Sequence, residues 1–215
     1  NRGDVYYQLD DYDSALEEYN QAIEIDEENA AAYYGRAKIY YDEEEYDEAI
    51  ADCTRAIEFD EENYDAYCKR GDAYDMQEDY DSAIEDYTQA IAIDDENDEA
   101  YCKRGNVYSE QEDYESAIED YTTAIELNDE NAEAYCGRGD AYYMQDDFDS
   151  ALEDYNEALD LDSDNQTAYY ARGNIYCIQG DYQSAVEDYK DALRIDPDNE
   201  TYKEALEDAL NKQFE

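Results

Sequence analysis

One arginine returns every 34 residues along this chain: Arg2, Arg36, Arg70, Arg104, Arg138 and Arg172. Glycine follows each of them except Arg36, which is followed by Ala37. No insertion breaks the register. A period this regular is not that of a single globular core; it marks an array of one supersecondary unit, each copy packing on its neighbours. A function carried by such an array lies on a surface more than in one deep pocket.

Residues 64–97 show what the unit is. Tyr67, Gly71 and Tyr74 are four and three apart and fall on one face of a helix. Tyr80, Ala83, Ile84, Tyr87, Ala90 and Ile91 repeat that spacing for a second helix. Gln77, Glu78 and Asp79 form a short polar turn between them, and Asp79 with Ser82 has the pattern of a helix N-cap. Asp94, Asp95, Glu96 and Asn97 close the unit, which is therefore two antiparallel helices.

Further columns share the period. An aromatic opens the first helix at Tyr33, Tyr67, Tyr101, Tyr135 and Tyr169. A small residue follows at Gly3, Ala37, Gly71, Gly105, Gly139 and Gly173, then a tyrosine at Tyr6, Tyr40, Tyr74, Tyr108, Tyr142 and Tyr176. The second helix carries alanines from Ala15 to Ala185 and from Ala22 to Ala192, with Tyr19, Tyr87, Tyr121, Tyr155 and Tyr189 between them and Cys53 as the exception. In these columns the chain resembles the tetratricopeptide repeat family over its whole length, and the single proline, Pro197, falls where that family places proline. Small residues let helices approach and tyrosines fill the remaining gaps, so the aromatic stripe reads as packing and not as a base-stacking platform.

The resemblance implies an all-α fold: a right-handed superhelical solenoid of six tetratricopeptide helix-turn-helix repeats plus a C-terminal helix. The expected divisions are a truncated repeat 1 at 1–29, repeats 2 to 6 at 30–63, 64–97, 98–131, 132–165 and 166–199, and a terminal helix at 200–215, together one continuous solenoid domain. Tyr202, Leu206 and Leu210 share one face of that last helix. It either caps the array with a charged outer side or stacks on the shortened first repeat of another copy.

Arginine in this column departs from the commoner family pattern and resembles a subgroup carrying Asn-Arg-Gly. An acid recurs in step with it, at Glu18, Asp52, Asp86, Asp120, Asp154 and Asp188. The expectation is that Arg36, Arg70, Arg104, Arg138 and Arg172 form structural ion pairs with Asp52, Asp86, Asp120, Asp154 and Asp188, in their own or the adjacent repeat. A planar guanidinium suits bidentate carboxylate binding.

Those arginines matter for the balance of charge, because the chain holds 14 Lys and Arg against 65 Asp and Glu, a formal net charge of −51. Such acidity argues against nucleic acid and against anionic membrane surfaces, and favours cationic partners or divalent ions. No apolar run approaches the roughly 20 residues that span a bilayer. Histidine is absent, which removes imidazole catalysis and His-metal chemistry, and there is no phosphate-binding glycine loop. The chain reads as no enzyme. It starts at Asn1 without a methionine, which fits a mature or trimmed fragment.

Other motifs are weaker. Arg-Gly-Asp at residues 2–4, 70–72 and 138–140 lies inside expected helices with its glycine packed. Cys68, Cys102 and Cys136 share a column whose helices stand about 8–10 Å apart, beyond disulfide reach. Free thiols point to a reducing compartment such as the cytoplasm, or to intermolecular bonding if the protein is exported. Asn165-Gln166-Thr167 and Asn199-Glu200-Thr201 are glycosylation sequons in inter-repeat loops. Those loops are acidic. Asp60, Glu61, Asp94, Asp95, Asp98, Asp160, Asp162 and Asp164 are candidate ligands for Ca2+, set against a solvated acidic surface; the glycine and closing glutamate of an EF-hand are missing.

By resemblance, the groove-facing columns carry Tyr34, Lys38, Tyr41, Asp72, Asp75, Asn106, Asp140, Tyr143, Tyr170 and Asn174 as partner-binding residues. The expected function is a non-enzymatic scaffold that binds a protein or peptide, basic in character, on an acidic, tyrosine-lined concave surface. The alternative is a structural protein that assembles head to tail into a filament or tube, with loops binding Ca2+, in an extracellular setting.

Overall fold

The computed structural model describes residues 2–213. Among them are thirteen α-helices and no strand. The chain forms two compact units, divided between Gln111 and Glu112. The first holds α1 (Arg2–Tyr7), α2 (Tyr12–Ile25), α3 (Ala30–Asp42), α4 (Tyr46–Phe59), α5 (Tyr64–Met76), α6 (Tyr80–Ile93) and α7 (Asp98–Glu110). The second holds α8 (Tyr114–Leu127), α9 (Ala132–Met144), α10 (Phe148–Leu161), α11 (Gln166–Gln179), α12 (Tyr182–Ile195) and α13 (Glu200–Gln213).

Local chemistry sets each boundary. Asn29, Asn63, Asn131 and Asn165 cap the first helices, each side-chain oxygen accepting a backbone N–H three residues on. Asp11, Asp79, Asp113, Asp147 and Asp181 cap the second helices by accepting from a serine N–H. Glu45, one methylene longer, makes no such bond. Each turn between paired helices holds one left-handed residue. Gly180 supplies it freely at φ +80°, whereas Asp10, Glu44, Glu78, Glu112 and Asp146 are forced to φ between 56° and 63°.

Packing is by consecutive helices within each unit, and first helices also touch one another, as α3 does with α1 and α5. The alanine columns are the contact points: Ala49, Ala83, Ala117, Ala151 and Ala185 are fully buried. Tyr19, Tyr87, Tyr121, Tyr155 and Tyr189 are the largest side chains sealed inside. Their rings lie over the glycines; a Cβ on Gly71 would stand 2.9 Å from Tyr87 Cε1. The terminal helix α13 buries Tyr202 and Ala209 and leaves Glu204, Glu207 and Asp208 in water. No helix among the described residues is long and apolar enough to cross a membrane.

Candidate partner-binding surface

The arginines are tied down before any surface is free to bind. Arg36, Arg70, Arg138 and Arg172 each place Nε and Nη2 on the two oxygens of an aspartate sixteen residues on, at 2.6–2.9 Å: Asp52, Asp86, Asp154 and Asp188. The partner lies in the arginine's own repeat. Nη1 of the same guanidinium reaches back sixteen residues, to Asn20, Thr54, Thr122 and Asn156 for these four and to Thr88 for Arg104. Tyr33, Tyr67, Tyr101, Tyr135 and Tyr169 lie under the five guanidiniums at 5.6–5.8 Å. Arg36, Arg70, Arg138 and Arg172 thus each pin their own repeat and the one before it. The short hydroxyl and amide column is invisible to a search for apolar period; its signal is a small polar residue at 34-residue spacing. Arg2 is different, since its Nη2 meets Glu18 at 3.0 Å with the arginine side chain 75% exposed.

A second internal use of polarity removes part of the expected surface. The phenols of four buried second-helix tyrosines donate to the residue fifteen positions earlier. Tyr19 donates to Asp4 at 2.7 Å, Tyr87 to Asp72 at 2.8 Å, Tyr155 to Asp140 at 2.6 Å and Tyr189 to Asn174 at 2.8 Å. Asp72 also accepts from Lys69 at 2.9 Å and Lys103 at 2.8 Å. Burial pushes its carboxyl up, and Lys103 and Lys69 more than reverse this, holding it below the ordinary range. Asp72 is buried and fully engaged, so its place is inside the fold.

The other candidates fall into two sets. In the first unit, Tyr34, Lys38 and Tyr41 on α3, Asp75 on α5 and Asn106 on α7 are half-buried. Lys38 Nζ sits over the rings of Tyr7 and Tyr34 at 4.6 and 5.3 Å, and Lys69 Nζ over Tyr41 at 4.2 Å. Burial, then Glu110 and Asp72, push the Asp75 carboxyl up. In the second unit, Tyr143 and Tyr170 are half-buried and Asp140 is exposed. Tyr143 packs at 5.7 Å on Phe148, and Tyr170 at 4.9 Å on Tyr202. The lysines of the first unit are therefore spent on tyrosine faces and on Asp72, while tyrosine and carboxylate groups keep access to solvent.

The loop acids do not assemble a metal centre. Among the described residues no three acidic or cysteine side chains stand together where they could hold an ion. Asp60, Glu61, Asp94, Asp95, Asp160, Asp162 and Asp164 are exposed, and Asp98 is half-buried at the start of α7. Asp94 and Asp162 turn back to accept the N–H of Glu96 and Asp164, and Asp164 lies 3.6 Å from Arg194. Asp94 and Asp162 thus serve their own turns, and like charges favour separation. This arrangement lends the Ca2+ expectation no support.

The remaining motifs resolve similarly. The Arg-Gly-Asp strings lie in α1, α5 and α9 with Gly3, Gly71 and Gly139 buried. The sequon amides of Asn165 and Asn199 cap α11 and the start of α13, accepting from the N–H of Ala168 and Tyr202. All five cysteines are free thiols. Burial pushes those of Cys53, Cys68 and Cys136 up to about 12.

Comparison with known proteins agrees with this architecture. A family model described as TPR repeat matches residues 3–43, 76–112, 105–146 and 139–177, and one described as Tetratricopeptide repeat matches 30–63 and 167–199. No curated protein sequence matches. Among solved structures the chain is similar to YrrB, described as "a TPR protein with an unusual peptide-binding site", at 26% identity and TM-score 0.69, covering 87% of this chain and 96% of that one. It is similar to MamA at 27% identity and TM-score 0.71, covering 76% and 95%. PilF of Pseudomonas aeruginosa shares the fold at TM-score 0.82 and 20% identity, covering 94% and 92%. The helical pairs, the packed glycine and alanine columns and family matches over more than half of its length agree: the chain belongs to the tetratricopeptide repeat family.

Proposed function

We propose that the protein is a non-enzymatic scaffold that holds a basic protein or peptide segment against the acidic, tyrosine-bearing faces of its first helices. The observation that carries this reading is the internal use of cations. Arg36, Arg70, Arg138 and Arg172 are locked on aspartates, and Lys38, Lys69 and Lys103 on tyrosine rings or Asp72. What faces a partner is carboxylate and phenol in a chain of net charge −51. Such a surface attracts Lys and Arg by field and grips them by cation–π contact. The likeness to YrrB, whose description includes a peptide-binding site, supports a peptide as ligand.

Titrating 15N-labelled protein with a lysine-rich peptide and following amide shifts tests this. The proposal expects saturable shifts around Tyr34, Tyr41, Tyr143 and Tyr170. Shifts confined to the acidic loops at Asp60, Asp94 and Asp162, or no saturable shift, would overturn it.

A further inference from the structure

The repeat provides an internal comparison, because Asp140 of repeat 5 occupies the same column as Asp72 of repeat 3, 68 residues earlier. Both accept the phenol proton of the tyrosine fifteen residues on, Tyr87 at 2.8 Å and Tyr155 at 2.6 Å. Asp72 then takes two ammonium groups, Lys69 at 2.9 Å and Lys103 at 2.8 Å, and is 8% exposed. The residues in those two columns beside Asp140 are Gly137 and Ala171. No cation replaces the lysines among the described residues, and Asp140 is exposed where Asp72 is buried.

The two lost lysines are not equivalent. Tyr121 lies over Gly137, where a Cβ would meet Cζ at 2.6 Å. In repeat 3 the matching second-helix position is Cys53, which leaves room for Lys69. The Lys69 direction is therefore filled by a ring in repeat 5. On the other side the side chain ends at the half-buried Ala171 methyl group. Asp140 thus keeps the Tyr155 hydrogen bond, and no neighbouring cation lowers its carboxyl as Lys103 and Lys69 lower that of Asp72. A bound cation would supply the missing compensation.

We infer that Asp140 is the receptor for one lysine or arginine side chain of the partner, which enters from the Ala171 side and takes the place that Lys103 holds at Asp72. Tyr143, one turn along α9 from Asp140, is placed to cover the aliphatic stem. This rests on the reading of the surface as a seat for a basic segment, and assigns the anchor.

The test uses the full chain and a fluorescein-labelled peptide of alternating glycine and lysine, in about 150 mM NaCl to screen diffuse attraction. Asp140→Asn keeps the acceptor for Tyr155, as Asn174 does for Tyr189, and so retains the fold. Ala171→Lys supplies the missing ammonium from within. Asp149→Asn, on the exposed start of α10, makes the same charge change elsewhere. Asp140→Asn and Ala171→Lys are each expected to weaken binding about tenfold or more relative to Asp149→Asn. If Ala171→Lys fails to fold by circular dichroism, Asp140→Asn decides. Binding by Asp140→Asn equal to that of Asp149→Asn overturns the assignment of Asp140 and leaves the scaffold reading standing. No binding by the unaltered protein overturns both.

Discussion

Arg70 places Nε on one oxygen of Asp86 and Nη2 on the other, both at 2.7 Å, with 17% and 5% of the two side chains exposed. Burial lifts the Asp86 carboxyl above its ordinary range by more than the guanidinium lowers it. The pair as a whole therefore adds little over two apolar groups, but half a pair strands a buried charge. Arg70→Met should cost about 3–5 kcal/mol in urea unfolding at neutral pH. Arg70→Met combined with Asp86→Leu should cost less than Arg70→Met alone. Arg2→Ala, at the exposed end of the column, should cost under about 1 kcal/mol. A loss below that in Arg70→Met would remove the structural role of the column.

The turns hold five non-glycine residues with left-handed backbone, among them Glu44 at φ 63° and Glu78 at φ 60°. The conformation costs an L-residue about 1–2 kcal/mol, and glycine gives back part of that in unfolded-state entropy. Glu44→Gly and Glu78→Gly should each stabilise the protein by roughly 0.5–1 kcal/mol. Destabilisation by either would mean that the carboxylate makes a contact worth more than the strain.

Much of the fold is legible in the 34-residue columns, because glycine, alanine and tyrosine report contacts that every repeat must make in the same way. The aspartate–serine caps are legible for the same reason. The site is less so. Asp72, Asp140 and Asn174 share a column that looks like a groove lining, yet each accepts a buried phenol, and only the fifteen-residue offset to Tyr87, Tyr155 and Tyr189 hints at it. Thr54, Thr88 and Thr122 bind arginines of the following repeat, a relation between polar residues sixteen apart that no periodicity of apolar residues encodes. The acidic loops mislead because composition counts carboxylates without their directions.

The glycine of each Arg-Gly pair answers to a ring. A Cβ at Gly71 would stand 2.9 and 3.0 Å from Tyr87 Cε1 and Cζ, and Tyr87 is held by Asp72. Gly71→Ala should therefore lower stability by about 1–3 kcal/mol despite the better helix propensity of alanine. Adding Tyr87→Leu should shrink the further penalty of the alanine. A neutral Gly71→Ala in thermal melting would show that the ring moves freely.

Stability should pass through a maximum on the acid side of neutrality. Burial raises the carboxyls of Asp75, Asp86 and Asp188, so the folded state takes up protons there before the unfolded chain does, and falling pH favours folding. Asp72 has the opposite sign. Its contribution is fully present above the ordinary value of 3.8 and is lost as pH falls below it through the lowered folded value. Urea midpoints measured across this range should rise from neutral pH and then fall, and Asp72→Asn should flatten the falling limb. A monotonic loss of stability from neutral pH downward would contradict the assignment.

The central claim is that an acidic tyrosine face, its own cations spent internally, receives a basic segment. Isothermal titration calorimetry with the glycine–lysine peptide and a glycine–glutamate peptide of equal length tests it most directly. The lysine peptide is predicted to bind saturably, with affinity falling about tenfold between roughly 0.05 and 0.3 M NaCl, and the glutamate peptide to give no binding heat. Equal binding of the two peptides, or no saturable binding of the lysine peptide at the lower salt, would contradict the account.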